Sequence, residues 1–294
     1  MTLETIGQAN IKKITDILIK DMESHDISKP YTPKWNSKLH VKLTGEAYTG
    51  WNQLHLSMLY PKTPVWGTYK QYNKVGLHPR PKTGVPLWVP FITKTKEDEV
   101  IVKDFFKVAI FNIEDVDGDP ELIDYYKTLN QIHKEHTEKI NETNFIASTQ
   151  ADIEYGGNKA CYIPSTDKIR IPNIQDFITK NSYYSTIFHE LTHWTGAKHR
   201  LDRNHNGKFA SKDYAFEELI AELGASFLAS HFNFFSETRE DHTQYLSSWV
   251  RLLKKEPKAM LSASSKAHKA YDFLVNKNRE QHVNIKETQD GQLS

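Results

Sequence analysis

Residues 182–195 read SYYSTIFHELTHWT and contain the pattern on which the fold of the second half of the chain depends. The pattern is H-E-x-x-H, with His189 and His193 at its ends and Glu190 next to the first histidine. Two histidines four residues apart share one face of a helix, so both imidazoles can bind one zinc ion. The adjacent glutamate can then act as a general base on water, so the pattern predicts a metal site on a helix.

The flanking residues favour a helix over 182–195. Apolar side chains recur at helical spacing and form one stripe, whereas both histidines lie together on the opposite side. Asn181 or Ser182 can cap the start, and Gly196 ends the helix just after His193. The stripe consists of Tyr184, Ile187, Leu191 and Trp194. The alternative interpretation is that both histidines are ordinary surface residues.

A catalytic zinc site needs a third protein ligand, and Glu218 is the favoured candidate. It lies in YAFEELIAELGASFLA (214–229), which is predicted to form a second, acidic helix. Glu222 lies one turn further along the same face and can accept the free N–H of a ligating histidine. The alternative is an exposed acidic face without a metal. Glu217 can exchange roles with Glu218, since the helical register is not determined by the sequence.

His199 is a competing third ligand. The stretch HELTHWTGAKH (189–199) fits H-E-x-x-H-x-x-G-x-x-H, in which a third histidine completes the site. That pattern requires a methionine turn beneath the metal, but the only downstream methionine, Met260, follows a long helical stretch. Glu218 is therefore favoured, which is the gluzincin-like arrangement. Two imidazoles and one carboxylate suit zinc best, although another divalent transition metal is compatible with them.

Composition excludes several classes of protein. Hydrophobic residues make up 38% of the 294 residues and aromatic residues 12%, which favours a folded core over disorder. Cys161 is the only cysteine, so no internal disulfide can form and a reducing compartment is expected. Neither a signal-peptide pattern nor an apolar run of membrane-spanning length is present. We therefore expect a soluble cytoplasmic protein without a membrane partner.

The segment 47–96 has an unusual charge pattern. It contains seven lysine and arginine residues, eight aromatic residues and no aspartate or glutamate. Cations attract phosphate, and aromatic rings offer faces on which unpaired bases stack, so the segment predicts single-stranded DNA binding. The alternative is an aromatic core with ordinary surface lysines. The candidate contact residues are Trp51, Lys62, Trp66, Tyr69, Lys70, Lys74, Arg80 and Lys82.

The pattern of helices and strands predicts an α+β chain of two domains. Residues 1–120 form an N-terminal α/β domain, with helices expected at 10–23, 52–59 and 65–76 and strands at 87–93 and 106–113. A charged helical connector covers 121–140. Residues 141–294 form the second domain, which has three short strands within 151–172, the H-E-x-x-H helix, the acidic helix and two further helices.

These segments resemble the ArdC family of antirestriction proteins over nearly the whole length. The stretches at 162–172, 182–203 and 214–230 are similar to the family's zincin-like metallopeptidase domain. Those at 43–56, 65–91 and 106–112 are similar to its N-terminal single-stranded-DNA-binding domain. The resemblance implies a role in protecting the DNA of a plasmid or phage from host restriction. It further implies that single-stranded DNA, and a host restriction component or peptide, are the partners.

Two other functions stay open at this point. The chain can be an active zinc endopeptidase that cleaves a host or DNA-bound protein, with the N-terminal domain as a targeting module and Glu190 as the general base. It can also be an interaction protein without catalysis, in which HELTH is only a stable helix and no metal binds.

Overall fold

The computed structural model describes residues 3–26, 31, 33–35, 39–60, 63–94, 100–128, 141–203, 211–235 and 243–290. The chain divides into two compact units. The first unit comprises Met1–Leu18 with Leu39–Thr137, and the second comprises Ile19–Lys38 with Glu138–Ser294. Both contain helices and strands, so the expected α+β class is confirmed. Among the described residues, no helix combines the length and apolar character needed to cross a membrane.

The N-terminal part of the chain contains four helices and six strands among its described residues. The helices are α1 (Leu3–Glu23), α2 (Gly50–Leu59), α3 (Tyr69–Lys74) and α4 (Pro120–Lys127). The strands are β1 (Val41–Lys42), β2 (Val65–Thr68), β3 (His78–Pro79), β4 (Val85–Lys94), β5 (Val100–Asn112) and β6 (Val116–Asp117). Helix α1 begins in the first unit, and its last turn, from Ile19, belongs to the second.

The main sheet of the first unit has the order β1-β2-β5-β4. β1 pairs with β2 in parallel, and the other neighbours are antiparallel. Apolar side chains cover both faces of this sheet, because α2 lies over one face and α3 with α4 over the other. One cluster contains Tyr48, Leu56, Trp66, Val85, Leu87 and Ile110. The other contains Val41, Leu43, Val65, Tyr72, Leu77, Ile113 and Val116.

The helix expected over 65–76 is wrong in its first part. Val65–Thr68 is a strand, because it pairs with β5 through Trp66 opposite Asn112. The helix starts only after Thr68, whose side chain accepts from the Gln71 backbone N–H while Gln71 caps the backbone of Thr68 in return. A reciprocal cap of this kind begins a helix, so the residues before it are free to extend as a strand.

The second unit carries the remaining elements. Its helices are α5 (Glu142–Ser148), α6 (Lys180–Trp194), α7 (Lys212–His231), α8 (Thr243–Lys255) and α9 (Ala259–Asp290). Its strands are β7 (Asp152–Tyr155), β8 (Cys161–Ile163) and β9 (Lys168–Ile171). They form a sheet of order β7-β9-β8, in which β7 pairs with β9 in parallel and β8 pairs with β9 antiparallel. β8 is therefore an edge strand of this described sheet.

Helices α6 and α7 lie in close contact because a glycine faces a threonine. A Cβ atom on Gly224 would meet Thr192 Oγ1 at 2.5 Å and Cγ2 at 2.6 Å, which is too close for any real side chain. Without a side chain at that position, the two helices approach closely. Their buried apolar residues include Ile187, Leu191, Leu219 and Leu223, each completely buried.

A segment from the N-terminal part completes the second unit. Trp35 is buried, and its ring lies 6.4 Å from those of both Tyr31 and Trp249. The hydroxyl of Tyr31 donates to the carboxylate of Asp21 at 3.0 Å. Trp249 is itself completely buried and donates from Nε1 to the carbonyl of Ala215, in the first turn of α7. Trp35 therefore packs against Trp249 of α8, and Trp249 is hydrogen-bonded to the first turn of the acidic helix α7.

Candidate metal centre and nucleic-acid surface

Three predicted ligands come together between α6 and α7. One ligand atom each from His189, His193 and Glu218 lies within 4.8 Å of the others. The two Nε2 atoms are 3.0 Å apart, and the Glu218 carboxylate oxygens lie 3.5 Å from His189 Nε2 and 3.7 Å from His193 Nε2. The side chains of His189 and Glu218 are buried and that of His193 is nearly so. The glutamates of α7 thus form no exposed acidic face.

Helical spacing explains how the ligands meet. His189 and His193 are one turn apart on α6, and Glu218 lies on the side of α7 that packs against it. Thr179 caps the start of α6 through the Ser182 backbone N–H, and Ser211 caps α7 through that of Tyr214. Thr179 lies ten residues before His189 and Ser211 seven residues before Glu218, so each cap determines where its helix begins ahead of the ligands.

The outer partner of His189 is Glu222, the glutamate predicted to support a ligating histidine. His189 Nδ1 donates to Glu222 Oε1 at 3.0 Å, which leaves Nε2 to face the ligand cluster. Burial disfavours the charged form of His189, but the carboxylates of Glu218 and Glu222 outweigh burial and raise the pKa of His189 to about 10. In the absence of a cation, these acids therefore hold a proton on the imidazole.

The outer partner of His193 is Glu217, the alternative candidate for the third ligand. His193 Nδ1 and Glu217 Oε1 are 3.3 Å apart, so Glu217 supports the ligand from its far side. Arg203 holds the same carboxylate, with Nη2 at 2.9 Å from Oε1 and Nε at 3.2 Å from Oε2. Burial disfavours the ionised form of Glu217, but His193 and Arg203 outweigh burial and lower its pKa to about 2. Glu217 is therefore a stable anion.

Tyr214 lies near the third ligand in the sequence of α7. Its hydroxyl is hydrogen-bonded to that of Tyr245, the two phenolic oxygens being 3.0 Å apart. Burial, the charge of Glu218 and the bond to Tyr245 together raise the pKa of Tyr214, so its proton stays in place. Neither tyrosine was expected in the site, although Tyr214 precedes Glu218 by four residues and helical spacing puts both on one face.

Glu190 lies beside the sheet. Its side chain is buried, and Oε2 accepts a hydrogen bond of 2.7 Å from the backbone N–H of Tyr162 in the edge strand β8. In antiparallel pairing, alternate residues of an edge strand direct their amides away from the neighbouring strand. The Tyr162 amide is such a group, and it orients the carboxylate next to the histidine pair. Strand β8 thus borders the candidate site.

His199 lies away from the cluster. Its side chain is 65% exposed, and its Nε2 is 3.4 Å from Asp167 Oδ2. The neighbouring Arg200 also pairs with Asp167 and donates to the carbonyl of Trp194 at 2.6 Å. His199 therefore belongs to a polar group at the end of α6, and the structure brings Glu218, not His199, to the two histidines.

The residues of the cluster suit a divalent cation. Four carboxylates, from Glu190, Glu217, Glu218 and Glu222, are at least 90% buried in the same region, and Arg203 forms an ion pair with Glu217. Buried carboxylates are unfavourable unless a cation balances their charge. Each of the two histidines also has a carboxylate behind it, which is the usual support for metal-bound imidazole. The second unit thus contains a candidate divalent-metal site.

Two of the aromatic residues predicted to contact DNA are part of the core. Trp66 is 1% exposed and its Nε1 donates to His40 Nδ1 at 3.0 Å, while Trp51 is 7% exposed. A buried ring offers no face on which a base can stack, so the expected role of both tryptophans is corrected. Their burial has a simple cause: Trp66 lies on the central strand β2, and Trp51 lies in the first turn of α2 over the same sheet.

Other predicted residues lie on the surface. Tyr69 is 58% exposed, and Lys70, Lys74 and Lys82 are exposed as well. Arg80 is exposed but already engaged, since its Nε lies 3.2 Å from Asp117 Oδ1 and its Nη2 donates to the carbonyl of Glu114. Lys62 lies outside the described residues. The exposed basic residues of this group therefore lie on α3 and in the loop between β3 and β4.

Strand β5 adds residues that were not predicted to contact DNA. The ring of Phe111 lies 6.3 Å from that of Tyr69, in an edge-on arrangement. Lys107 is exposed and shares its strand face with Phe111, because the two are four residues apart on β5. We call Tyr69, Lys70, Lys74, Lys107 and Phe111 the Tyr69 surface. Lys107 and Phe111 lie outside the acid-free segment, so charge pattern alone did not reveal them.

Comparison with known proteins agrees with both halves of this description. Residues 8–131 match the profile of the N-terminal domain of the anti-restriction factor ArdC. Residues 140–266 match that of a zincin-like metallopeptidase domain. The two matched regions together cover the sheet of the first unit and the candidate metal site of the second.

Two curated relatives are similar in sequence. The uncharacterized protein y4eC of Sinorhizobium fredii is 32% identical over 223 residues, which is 71% of this chain and 70% of that protein. The DNA primase TraC of Escherichia coli is 32% identical over 256 residues, 79% of this chain. The chain spans only 23% of the length of that primase.

Solved structures show the same arrangement of elements. The crystal structure of the antirestriction protein ArdC from plasmid R388, in its metal-free form, has a TM-score of 0.70 and 28% sequence identity, covering 92% of this chain and 98% of that one. Its Mn(II)-bound form also has a TM-score of 0.70 and 28% identity, covering 91% and 97%. Fold and site together define a zincin-like metallopeptidase unit combined with an ArdC-type N-terminal domain. The chain belongs to the ArdC-like antirestriction family.

Proposed function

We propose that this chain is an antirestriction protein of a mobile genetic element, which binds single-stranded DNA with its first unit and a divalent metal ion with its second. Membership of the ArdC-like family and similarity to the antirestriction protein ArdC of plasmid R388 and to TraC support this role. Along the chain we assign DNA binding to residues 1–120, apart from residues 19–38 that belong to the second unit, and the metal centre to residues 141–294, with 121–140 as the connection. The lone cysteine and the DNA partner favour action in the cytoplasm.

The observation that carries the DNA-binding proposal is the exposed ring of Tyr69 among exposed lysines. Lys70 and Lys74 are one turn apart on α3 and face solvent, so they can follow a phosphate backbone. Tyr69 is 58% exposed at the start of the same helix. Bases of a single strand stack on such rings, whereas duplex DNA keeps its bases covered. The Tyr69 surface therefore suits single-stranded DNA.

The test uses the full-length protein and a labelled oligothymidylate in fluorescence anisotropy. Tyr69→Ala should weaken binding by about 1–3 kcal/mol, the usual contribution of one stacked base. Tyr125→Ala is the matched control, since Tyr125 is 54% exposed in the same unit but follows the acidic residue Asp124 on α4. Equal loss in both variants, or none in Tyr69→Ala, contradicts the proposed surface.

The lysines can be tested through the salt dependence of binding. For single-stranded DNA, removing one lysine that neutralises a phosphate should reduce the slope of log affinity against log salt by about 0.7. Lys70→Ala combined with Lys74→Ala should therefore flatten the slope, while Lys127→Ala, on α4, should leave it unchanged. An unchanged slope in the double variant would place the phosphate-binding cations elsewhere.

For the second unit we propose zinc as the metal, held by His189, His193 and Glu218, with manganese as an alternative ion. Two imidazoles and a carboxylate are a zinc ligand set, and the similarity to the Mn(II)-bound R388 protein supports divalent metal binding. His193→Ala should lose the metal, whereas Glu190→Gln should keep it. Metal content of the purified variants, measured by plasma mass spectrometry, checks both expectations.

A second candidate function is proteolysis of a host restriction component or another peptide. Its specific support is the position of Glu190 between the ligand histidines and the edge strand β8. An extended peptide can pair with such an edge. A divalent cation in this site supplies a Lewis acid that polarises a carbonyl. Glu190 would accept a proton from a water molecule while the oxygen of that water attacks the carbonyl carbon. Glu190 would then return the proton to the amide nitrogen as the C–N bond breaks.

Proteolysis and protection can be separated by Glu190→Gln. With a cleavable substrate, the variant should lose activity by about 10²–10⁴-fold, the usual effect of removing a general base. If protection of incoming DNA from restriction survives in Glu190→Gln and in His193→Ala, antirestriction does not depend on the metal centre. Loss of protection in both variants, with DNA binding intact, favours the peptidase as the effector.

A further inference from the structure

The loop after α6, residues 195–203, folds back onto the helix that it follows. The backbone N–H of Arg203 donates to the carbonyl of Gly196 at 2.9 Å, and that of Asp202 donates to the carbonyl of Ala197 at 3.1 Å. Asp202 has a φ of 47°, in the left-handed region that is used in tight turns. Arg203 is thereby returned to the end of α6, where its side chain is buried.

The guanidinium of Arg203 binds both α6 and α7. Its Nη1 donates to Thr195 Oγ1 at 2.8 Å and its Nη2 donates to the Thr192 carbonyl, so the group is fixed at the end of α6. Nη2 and Nε also donate to the two oxygens of Glu217 on α7, at 2.9 and 3.2 Å. A planar guanidinium that contacts both oxygens determines the plane of the carboxylate, which a point charge cannot do.

The carboxylate that Arg203 orients faces a metal ligand. Glu217 Oε1 lies 3.3 Å from His193 Nδ1, and His193 Nε2 faces His189 and Glu218 in the cluster. When Nδ1 donates to the carboxylate, the free lone pair of the imidazole is on Nε2, the atom that is directed at the cluster. A series of three side chains, Arg203, Glu217 and His193, therefore leads from the loop to the ligand position.

We propose that Arg203 is a positioning residue for the metal ligand His193 and that it acts through Glu217. This inference rests on the proposed metal binding. Arg203 fixes the carboxylate, the carboxylate fixes the rotation of the imidazole ring, and the ring keeps Nε2 directed at the cluster. The loop 195–203 thus takes part in the site through its arginine, although His199 of the same loop lies away from the cluster.

Arg203→Lys tests the proposal, because lysine keeps the positive charge and loses the planar fork. Arg200→Lys is the matched control in the same loop, since the side chain of Arg200 is buried to a similar degree, 7% against 5% exposed. Arg200 also holds a carboxylate, with Nη1 at 2.9 Å from Asp167 Oδ2. That carboxylate lies in the turn between β8 and β9, whereas the partner of Arg203 lies on α7 beside His193.

Mn(II) affinity of the full-length variants is measured from the electron paramagnetic resonance signal of the free ion. Arg203→Lys should weaken binding by about tenfold, the lower end of the effect of disturbing the outer partner of a metal ligand. The visible spectrum of added Co(II) should also change, because the imidazole of His193 is no longer held in one orientation. Arg200→Lys should leave Mn(II) affinity and the Co(II) spectrum at wild-type values, even where circular dichroism shows an equal loss of stability.

A double-mutant cycle with Glu217→Gln shows whether Arg203 acts through the carboxylate. Glu217→Gln by itself should weaken Mn(II) binding by about 10- to 100-fold, because the glutamine amide replaces one acceptor oxygen by a donor. Adding Arg203→Lys to this variant should cause little further loss, since the group that connects Arg203 with His193 is already altered. Non-additive losses of metal affinity therefore indicate one shared route.

Three results would overturn the inference while the proposed metal function stands. In the first, wild type binds Mn(II) and Arg203→Lys retains both its affinity and its Co(II) spectrum. In the second, Arg200→Lys loses as much affinity, so the effect belongs to the stability of the loop. In the third, the losses in the cycle are additive, so Arg203 acts by a route other than Glu217. Absence of Mn(II) and Co(II) binding in wild type would instead refute the proposed metal function together with this inference.

Discussion

Arg203 holds Glu217 in a buried ion pair in which Nη2 lies 2.9 Å from one carboxylate oxygen and Nε 3.2 Å from the other. Glu217 in turn supports His193. Arg203, ten residues after His193, is thereby connected to the ligand cluster through a single carboxylate. The same guanidinium donates from Nη1 to Thr195 Oγ1 and from Nη2 to the Thr192 carbonyl, at the end of α6. Arg203 therefore joins both ligand-bearing helices.

Removing Arg203 should destabilise the second unit. Arg203→Met leaves the buried Glu217 carboxylate without its cation, and breaking a buried pair in this way costs about 3–5 kcal/mol. Denaturant unfolding of the full chain, followed by far-ultraviolet circular dichroism, measures the change in the free energy of unfolding. Arg170→Met is the control, because Arg170 pairs with Glu154 on an exposed part of the sheet and its loss should change stability little. Similar effects of both variants would argue against the central role of Arg203.

The third ligand can be decided by substitution. Glu218→Gln and His193→Ala should each lose the bound metal, because both residues face the position shared by the three ligand atoms. His199→Ala should keep it, since that side chain is 65% exposed and pairs with Asp167. Metal content per protein chain checks the expectation. Loss of metal from His199→Ala with retention in Glu218→Gln would restore the alternative H-E-x-x-H-x-x-G-x-x-H site.

Metal binding should release protons near neutral pH. Burial lowers the basicity of His189, but Glu218 and Glu222 outweigh it and raise the pKa of His189 to about 10, so the imidazole is protonated at pH 7 before a metal enters. A metal binds only the neutral imidazole. Because the proton competes, affinity should decrease as pH falls below this pKa, about tenfold per unit for one released proton. Calorimetric titrations in two buffers of different ionisation enthalpy count the protons, and a count of zero contradicts the expectation.

Gly224→Ala should destabilise the second unit although alanine is the better helix former. Its Cβ would lie 2.5 and 2.6 Å from the Oγ1 and Cγ2 atoms of Thr192, so α6 and α7 have to separate. Overpacking of this kind costs about 1–3 kcal/mol, more than the roughly 1 kcal/mol that helix propensity returns. Adding Thr192→Ala removes both close atoms and should recover part of the loss. A stabilised Gly224→Ala protein would show that the helices adjust freely at this contact.

In the candidate site, local sequence patterns predicted the helix that carries the two histidines but did not fully determine the third ligand. The spacing of His189 and His193 and the apolar stripe on the same segment were enough to predict α6. The expected cap was wrong, because Thr179 and not Asn181 or Ser182 caps the helix, which begins at Lys180. The sequence favoured Glu218 over His199 because a methionine turn is missing, but it left Glu217 open, since that choice depends on which side of α7 faces α6. That rotation is determined by the close contact of Gly224 with Thr192 and by the apolar residues around it.

In the N-terminal unit, the sequence did not reveal which aromatic residues are buried and which are exposed. Residues 47–96 lack acidic side chains, which indicated a basic surface, but the aromatic residues in that segment divide between core and surface in a way that composition does not reveal. Trp66 became core because Val65–Thr68 pairs as a strand beside β5, while Tyr69, three residues later, begins a helix and remains exposed. The change from strand to helix within three residues separates an exposed ring that can stack on a base from a buried structural residue.

The sequence by itself determined the class of the protein, the two ligand histidines as candidates, Glu190 as the candidate base and the basic character of residues 47–96, because these features depend on spacing and composition along the chain. Only the tertiary structure decided that Glu218 faces the histidines, that Arg203 and Glu217 support one of them, that Tyr214 is hydrogen-bonded to Tyr245, and that Tyr31 and Trp35 pack in the second unit. Those relationships join residues far apart in the chain, and their geometry comes from packing against shared neighbours, which no local pattern encodes.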